Sequence, residues 1–406
     1  MAVRLDRKVR LFLALVGAQL LLGCAFNPST AERLAAADEL KARDVVQRGY
    51  RPATAPEAIA STQLNVLVEG ANWPVTIVRP TSSGPHPLVL YLPGLGESEE
   101  AGSLWRQAWA RAGYAVLSVQ ALAEDESAWR SDLARGAEFR ALAEQRYGTD
   151  ALRQRLARLG QIWQACRQAA STGQAPWAGF DFSSVAVAGF DLGAQTAVAL
   201  GSDAVPAAGQ AWQDLAASVR GVLAFSPIEE GALPASSSVR AGPPILSLSA
   251  ADDVDPTAWF SPPARRQDVF ERWALSGSAL LLFHEAGHGV LAGNPRVAVM
   301  PERRDAEQAA AAQPRRGVGR TRSGLGPGGP DAIDPVPKVQ DASHLPVAER
   351  HGHQEIEAAL GVVSLAWLDA QLRQREAARC WLQVQLPVWL GELGSWRMWP
   401  SRTPAC

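Results

Sequence analysis

The sequence predicts an α/β fold: a mostly parallel sheet of eight strands flanked by helices, with one helical and one disordered insertion. Two observations carry that prediction. From residue 64 onward, short β-rich runs alternate with stretches of helical period, the order expected where strands are joined by helical crossovers. Several runs, such as VLYL at 89–92 and ALLLF at 279–283, are apolar without interruption, which suits strands buried on both faces of a sheet. Of the 406 residues 47% are hydrophobic and 20% charged, enough apolar surface for a sizeable core, so wholesale disorder is excluded.

Taken in chain order, residues 1–23 read as a processing segment, in which Arg4, Arg7, Lys8 and Arg10 precede an apolar run at 11–22. The run is short for a bilayer-spanning helix. It ends in Leu21-Leu22-Gly23-Cys24, which resembles the lipobox of bacterial lipoproteins. The resemblance implies that Cys24 is acylated and tethers an exported protein to a membrane, with Ala25 fitting the outer membrane, facing the periplasm. A plain secretory signal or an uncleaved anchor suits the same apolar core, and each also exports the body. Residues 24–60 then read as a tether. Removing 1–23 takes away those four cations and Asp6, so the net charge goes from -2 to −5. A mildly acidic body gives no reason to expect nucleic-acid binding.

The body is expected over 61–300. Strands at 64–68 and 75–78 flank a turn at Gly70-Ala71-Asn72 and predict an antiparallel hairpin. Buried strands follow at 88–92, 115–119, 185–188, 219–225, 245–248 and 279–283. Between the fourth and fifth lies a helical insert, about 121–177, too long for a simple crossover. Its Trp129, Phe139, Tyr147 and Trp163 either pack these helices on the body or line a substrate pocket. Residues 301–345, rich in Gly, Pro, Ala and Arg, read as a low-complexity insertion. The closing segment, 346–406, holds an amphipathic helix at about 354–373 and a Trp-rich tail at 381–399 that packs on the body. Besides Cys24 the cysteines are Cys166, Cys380 and Cys406; an oxidising compartment allows one pair, with Cys380 and Cys406 the expected partners. Their spacing fits no zinc site, and no cofactor is implied.

The chemistry centres on Val185-Ala-Val-Ala-Gly189-Phe190-Asp191-Leu192-Gly193-Ala194, a strand run entering a helix through a turn with glycine two residues to either side of the centre. This resembles the nucleophile elbow of α/β-hydrolases, where the glycines let strand and helix approach closely. Leu88-Val-Leu-Tyr-Leu-Pro93-Gly94-Leu95-Gly96 is similar to the strand and oxyanion loop of the dienelactone hydrolase and platelet-activating-factor acetylhydrolase branch. By that resemblance the N–H groups of Leu95 and Leu192 hold a developing oxyanion. Pro244-Ile-Leu-Ser-Leu-Ser-Ala-Ala-Asp252-Asp253-Val254-Asp255 resembles the loop of the triad acid. Family spacing points to Asp253, with Asp252 and Asp255 open, and a solvated loop or helix cap as the plain alternative. His288, in Gly287-His288-Gly289 after the last strand, matches the family's histidine. Ser364-Leu-Ala-Trp-Leu-Asp369 and Ala377-Ala-Arg-Cys380-Trp-Leu382 look like the closing helix and tail of the same branch.

His284-Glu285-Ala286-Gly287-His288 also fits H-E-x-x-H, the helical zinc-peptidase motif. That reading needs a helix, whereas 279–283 followed by glycines reads as strand and then loop.

An aspartate at the elbow changes the chemistry expected. A carboxylate with an ordinary pKa of about 4 is already anionic at neutral pH and needs no base to activate it. Attack on an ester carbonyl would form an anhydride, an uphill step. Attack on a saturated carbon bearing halide or epoxide oxygen would form an ester that water can hydrolyse. The branch resembled implies a lipid-anchored hydrolase of small or lipid-derived ester-like substrates; dehalogenase or epoxide-hydrolase chemistry is the alternative that Asp191 suggests. A retired active site kept as a binding or structural scaffold is the other.

Overall fold

In the computed structural model of the chain, the residues described are 30–201, 210–228, 242–259, 263–273, 275–295, 353–399 and 406. Cys24 and the expected 301–345 insertion lie outside them. One mixed sheet organises the rest, in the order β1-β2-β4-β3-β5-β6-β7-β8-β9. The strands are β1 (Ile59–Val68), β2 (Ala71–Pro80), β3 (His86–Leu92), β4 (Ala115–Ser118), β5 (Phe180–Phe190), β6 (Val219–Phe225), β7 (Ile245–Asp252), β8 (Ala279–Gly287) and β9 (Gly394–Met398). From β3 to β8 all pairings are parallel, while β1 with β2, β2 with β4 and β8 with β9 are antiparallel. The expected hairpin is β1 and β2.

The sheet has nine strands, not eight. β9 lies in the Trp-rich tail, where GSWRM is too short and too mixed to show a strand period. Its pairing with β8, from Ala279 opposite Met398 to Phe283 opposite Gly394, makes it one. Gly394 is required there, because a Cβ would sit 2.5 Å from the Leu282 carbonyl oxygen.

Both faces of the parallel strands are covered, which explains their unbroken apolar runs. Along β5, Ala186 and Ala188 face the core formed with α2 (Ser103–Arg111) and the closing helix α7 (His353–Gln371). Val185 and Val187 face the core formed with α4 (Thr149–Ser171), α5 (Leu192–Leu200) and α6 (Gln210–Ser218). Part of the expected 24–60 tether lies among the described residues. Residues Thr30–Arg48 form helix α1, which packs against α7 with Val45 buried. Its sequence is dominated by Ala and charged residues with few apolar positions, hence the tether reading. Cys380 and Cys406 are joined by a disulfide. Among the described residues no helix is long and apolar enough to cross a membrane.

The topology sets a switch point in the sheet. After β3 the chain passes through α2 on one face to reach β4, whereas after β5 it passes through α5 on the other face to reach β6. The carboxyl ends of β3 and β5 therefore sit at a topological switch point, where open α/β sheets hold their ligands.

Asp369 on α7 ties three parts of this frame together. It accepts hydrogen bonds from the hydroxyls of Tyr50 at 2.7 Å and Tyr114 at 2.6 Å and pairs with Arg373 at 2.9 Å. Burial raises the Tyr50 and Tyr114 phenols well above the usual range and Asp369 raises them further, so both stay donors. Asp369→Ala is expected to lower unfolding free energy by about 3 kcal/mol or more, as loss of a buried charge partner does. Urea denaturation followed by tryptophan fluorescence checks it.

Candidate functional site

Asp191 sits between the end of β5 and the start of α5. Its backbone has φ 50 and ψ −109, a conformation that costs a non-glycine residue about 1–3 kcal/mol. The turn is tight because backbones touch. A Cβ on Gly189 would lie 2.3 Å from Gly193 C, and one on Gly193 would lie 2.0 Å from the Leu92 carbonyl oxygen. These contacts are the physical reason for both glycines. Asp191 N–H donates to the Phe225 carbonyl at 2.9 Å and its carbonyl accepts from Gln195 N–H at 3.1 Å, which fixes the turn from both sides.

An aspartate before a helix usually caps it. Asp191 does not: its side chain makes no cap hydrogen bond. Instead Oδ2 accepts from the Tyr147 hydroxyl at 2.6 Å, while Oδ1 is buried with no hydrogen-bond partner and lies 3.8 Å from Arg266 Nη1. Burial raises the Tyr147 phenol well above its ordinary range, and Asp191 raises it further, so Tyr147 keeps its proton and donates it. Tyr147 ends helix α3 (Phe139–Tyr147) of the insert, so one aromatic of that insert does reach the site. Trp129 reaches the neighbouring loop through its Nε1–H, bonded to the Leu95 carbonyl at 3.1 Å. Trp163 packs on Phe182 and belongs to the core.

Asp253 and His288 are brought together. His288 Nδ1 lies 2.8 Å from Asp253 Oδ1, and its ring packs on Phe190 at 4.7 Å between centroids, beside Asp191 in sequence. The fully buried Asp253 also accepts from the hydroxyls of Ser226 at 2.8 Å and Ser249 at 2.9 Å, with Arg266 Nε 3.2 Å from Oδ1. Burial alone would raise the Asp253 carboxyl. The charge of Arg266, the bond and charge of His288 and the Ser226 hydroxyl outweigh it and hold it below the ordinary range. The other two candidate acids are accounted for. Asp252 is exposed, and Asp255 binds the N–H groups of Thr257 and Trp259 and the Thr257 hydroxyl, closing its own turn.

Leu95 and Leu192 are both buried, in one apolar cluster with Tyr147 and Ile228. Leu192 is the first residue of α5, whose first-turn N–H groups have no partner within the helix. Leu95 lies in a turn closed by Glu97 N–H on the Gly94 carbonyl at 3.3 Å.

The H-E-x-x-H stretch has the wrong geometry for zinc. His284 to Gly287 continue strand β8, His284 Nδ1 bonds the Glu392 carbonyl at 3.0 Å, and His288 Nδ1 is engaged by Asp253. Among the described residues no group of three His, Cys, Asp or Glu is placed to hold a metal.

Arg266, Ser226, Ser249 and Glu97 are site residues that sequence reading missed. Ser226 directly follows β6 and Ser249 lies within β7, where strand alternation alone does not distinguish a site hydroxyl from a core one. Arg266 lies in a short 3₁₀ turn with no sequence signal, yet its guanidinium is buried between Asp191, Asp253 and the Ser226 carbonyl, to which Nη1 donates at 2.8 Å. Compared with known protein families and with curated proteins, the chain matches none.

Asp253 sets a pH dependence. Its pKa is depressed in the folded state, so its contribution to stability is present above the unfolded carboxyl pKa of about 4 and is lost as pH falls through that value and below. Asp253→Asn is expected to be less stable than wild type by about 3 kcal/mol near neutral pH. The gap should close as pH falls below about 4. Paired urea titrations across that range measure it.

Proposed function

We propose that the chain is a hydrolase of the α/β-hydrolase fold in which Asp191 attacks the substrate and the His288–Asp253 pair activates water. One observation carries this reading: a strained, buried carboxylate at the switch point leaves its own helix uncapped, and Phe190, next to it in sequence, packs on a histidine whose Nδ1 is held by a buried acid. The helix-cap reading has no place for that arrangement.

The electrophile that suits a carboxylate is a saturated carbon bearing an epoxide oxygen or a halide. A bond forms from Asp191 Oδ1 to that carbon as the carbon–leaving-group bond breaks, and the leaving group departs with the bonding pair. His288, with Nδ1 committed to Asp253, then removes a proton from water at Nε2. The hydroxide attacks Cγ of the new ester, and the charge on its oxygen falls to the N–H groups of Leu95 and Leu192, each such donor being worth about 3 kcal/mol in the barrier. Collapse breaks the Cγ–Oδ1 bond, so the product alcohol leaves with the former Oδ1 and takes the proton from His288. The Asp191 carboxylic acid left behind passes its proton to solvent, which protonates the first leaving group where that is an alkoxide, and returns as a carboxylate. Arg266 and the hydroxyl of Ser226 help hold Asp253 as a carboxylate, and Asp253 steadies the protonated imidazole.

Ester-like substrates are the second reading, favoured by the likeness of Pro93 to Gly96 and of Gly287 to Gly289 to the acetylhydrolase branch, and weakened by the anhydride they would require. We place the protein on the periplasmic side of an outer membrane, anchored through acylated Cys24, on the strength of residues 4–24.

His288→Gln is expected to lower turnover of an aryl epoxide or an alkyl halide on the order of a hundred-fold or more. The same variant should accumulate a substrate adduct on the peptide containing Asp191, absent in Asp191→Asn, as read by intact and peptide mass. Turnover of p-nitrophenyl esters that needs Asp191 and His288 but yields no adduct would favour the second reading. No turnover and no adduct with any of the three would make the fold a non-catalytic scaffold.

A further inference from the structure

Glu97 has no part in the chemistry above, yet it lies against it. Its half-buried carboxylate accepts the Gly94 N–H on Oε2 at 2.8 Å and the Asn294 side-chain N–H on Oε1 at 2.7 Å. Burial pushes the Glu97 carboxyl up, and the Gly94 and Asn294 bonds oppose that. Asp191 adds to the rise and His288 opposes it.

Both ends of the Glu97 bridge matter for position. Gly94 immediately precedes Leu95. Asn294 ends the segment that begins at His288, and its Oδ1 accepts from Gly102 N–H at 2.7 Å, ahead of α2. The same segment is bound to α2 and β3 by Leu104 N–H on the Gly293 carbonyl at 2.9 Å, by Trp105 Nε1 on the Leu291 carbonyl at 3.1 Å and by the Tyr91 hydroxyl on the Ala292 carbonyl at 3.3 Å. Those bonds hold the His288 segment to the body but do not reach the Leu95 turn. Gln120 Nε2 reaches that turn, bonding the carbonyls of Gly94 at 3.2 Å and Glu97 at 3.0 Å, but makes no link to the His288 segment. Glu97 with Asn294 is the direct side-chain bridge between the two.

We propose that Glu97 is a positioning residue: through Asn294 it sets the distance between the Leu95 N–H and His288, using its two acceptor oxygens to couple the turn to the histidine-bearing segment. The catalytic consequence rests on the hydrolase reading, whereas the coupling itself does not.

The bridge has a polarity that a double variant can reverse. Glu97→Gln leaves one acceptor oxygen and turns the other site into a donor facing a donor. Adding Asn294→Asp puts an acceptor opposite that donor, keeps an oxygen for Gly102 N–H and moves the charge to position 294. Hydrogen–deuterium exchange on the full chain reads the turn directly. Glu97→Gln is expected to speed exchange in the peptide spanning 90–97 by about tenfold or more, with the peptide spanning β5 unchanged, and the double variant should restore protection. With a probe substrate that wild type turns over, kcat should fall about tenfold in Glu97→Gln at little-changed KM, and recover in the double variant. If Glu97→Gln does not fold, Asn294→Ala breaks the bridge from the other side and is expected to speed exchange in the 90–97 and 101–104 peptides. Wild-type exchange in the turn of either single variant, or no recovery in the double variant, overturns the proposal. A wild type that turns over no probe bears on the hydrolase reading alone, because the exchange comparison still decides this one.

Discussion

The approach of Gly193 to the Leu92 carbonyl is the constraint on which the site depends. Helix α5 begins so close to the end of β3 that there is no room for a Cβ, and the chain leaving β5 must turn through a left-handed residue to enter the helix. The residue at that turn is lifted out of the strand pleat and out of the helix, over the switch point. In this chain the residue at that turn is a buried carboxylate. The strain is held by the backbone bonds to Phe225 and Gln195 and by an apolar core on each face of the sheet.

Burying charge beside that turn is costly unless it is paired, and the pairing here is unequal. Asp253 is satisfied on both oxygens, by hydroxyls, an imidazole and a guanidinium. Asp191 is satisfied on one oxygen only, by Tyr147, with Arg266 the cation nearest its other oxygen at 3.8 Å. A fully satisfied acid suits a supporting role and a half-satisfied one suits a reacting role. On the proposed reading, this difference in partners, more than identity of residue type, distinguishes the two aspartates.

The legible parts of this arrangement were those with a backbone cause. The glycine spacing around Asp191 and the apolar strands reflect local steric and periodic requirements, so the elbow and its sheet could be read from sequence. Asp253 and His288 were named through the resemblance to the α/β-hydrolase triad, and the structure brings these two into contact. Parts that depend on distant packing were not legible. β9 needed β8 to become a strand, α1 needed α7 to become a docked helix, and Arg266 and Glu97 needed the fold to bring their partners within reach. Tyr147 lay between: the insert's aromatics were visible, but not which of them would touch the elbow. The H-E-x-x-H string shows the opposite case, a motif match whose strand backbone denies it the helix it needs.

The covalent role proposed for Asp191, rather than that of a base or a relic, can be tested on the carboxylate itself. On the proposed mechanism, in a single turnover of the wild-type protein with an aryl epoxide in heavy-oxygen water, the hydroxide that resolves the ester would add to Cγ. One heavy oxygen must then appear in the peptide containing Asp191, with the product of that first turnover carrying the light oxygen from the original carboxylate. Heavy oxygen in the product with an unlabelled Asp191 peptide would contradict the account.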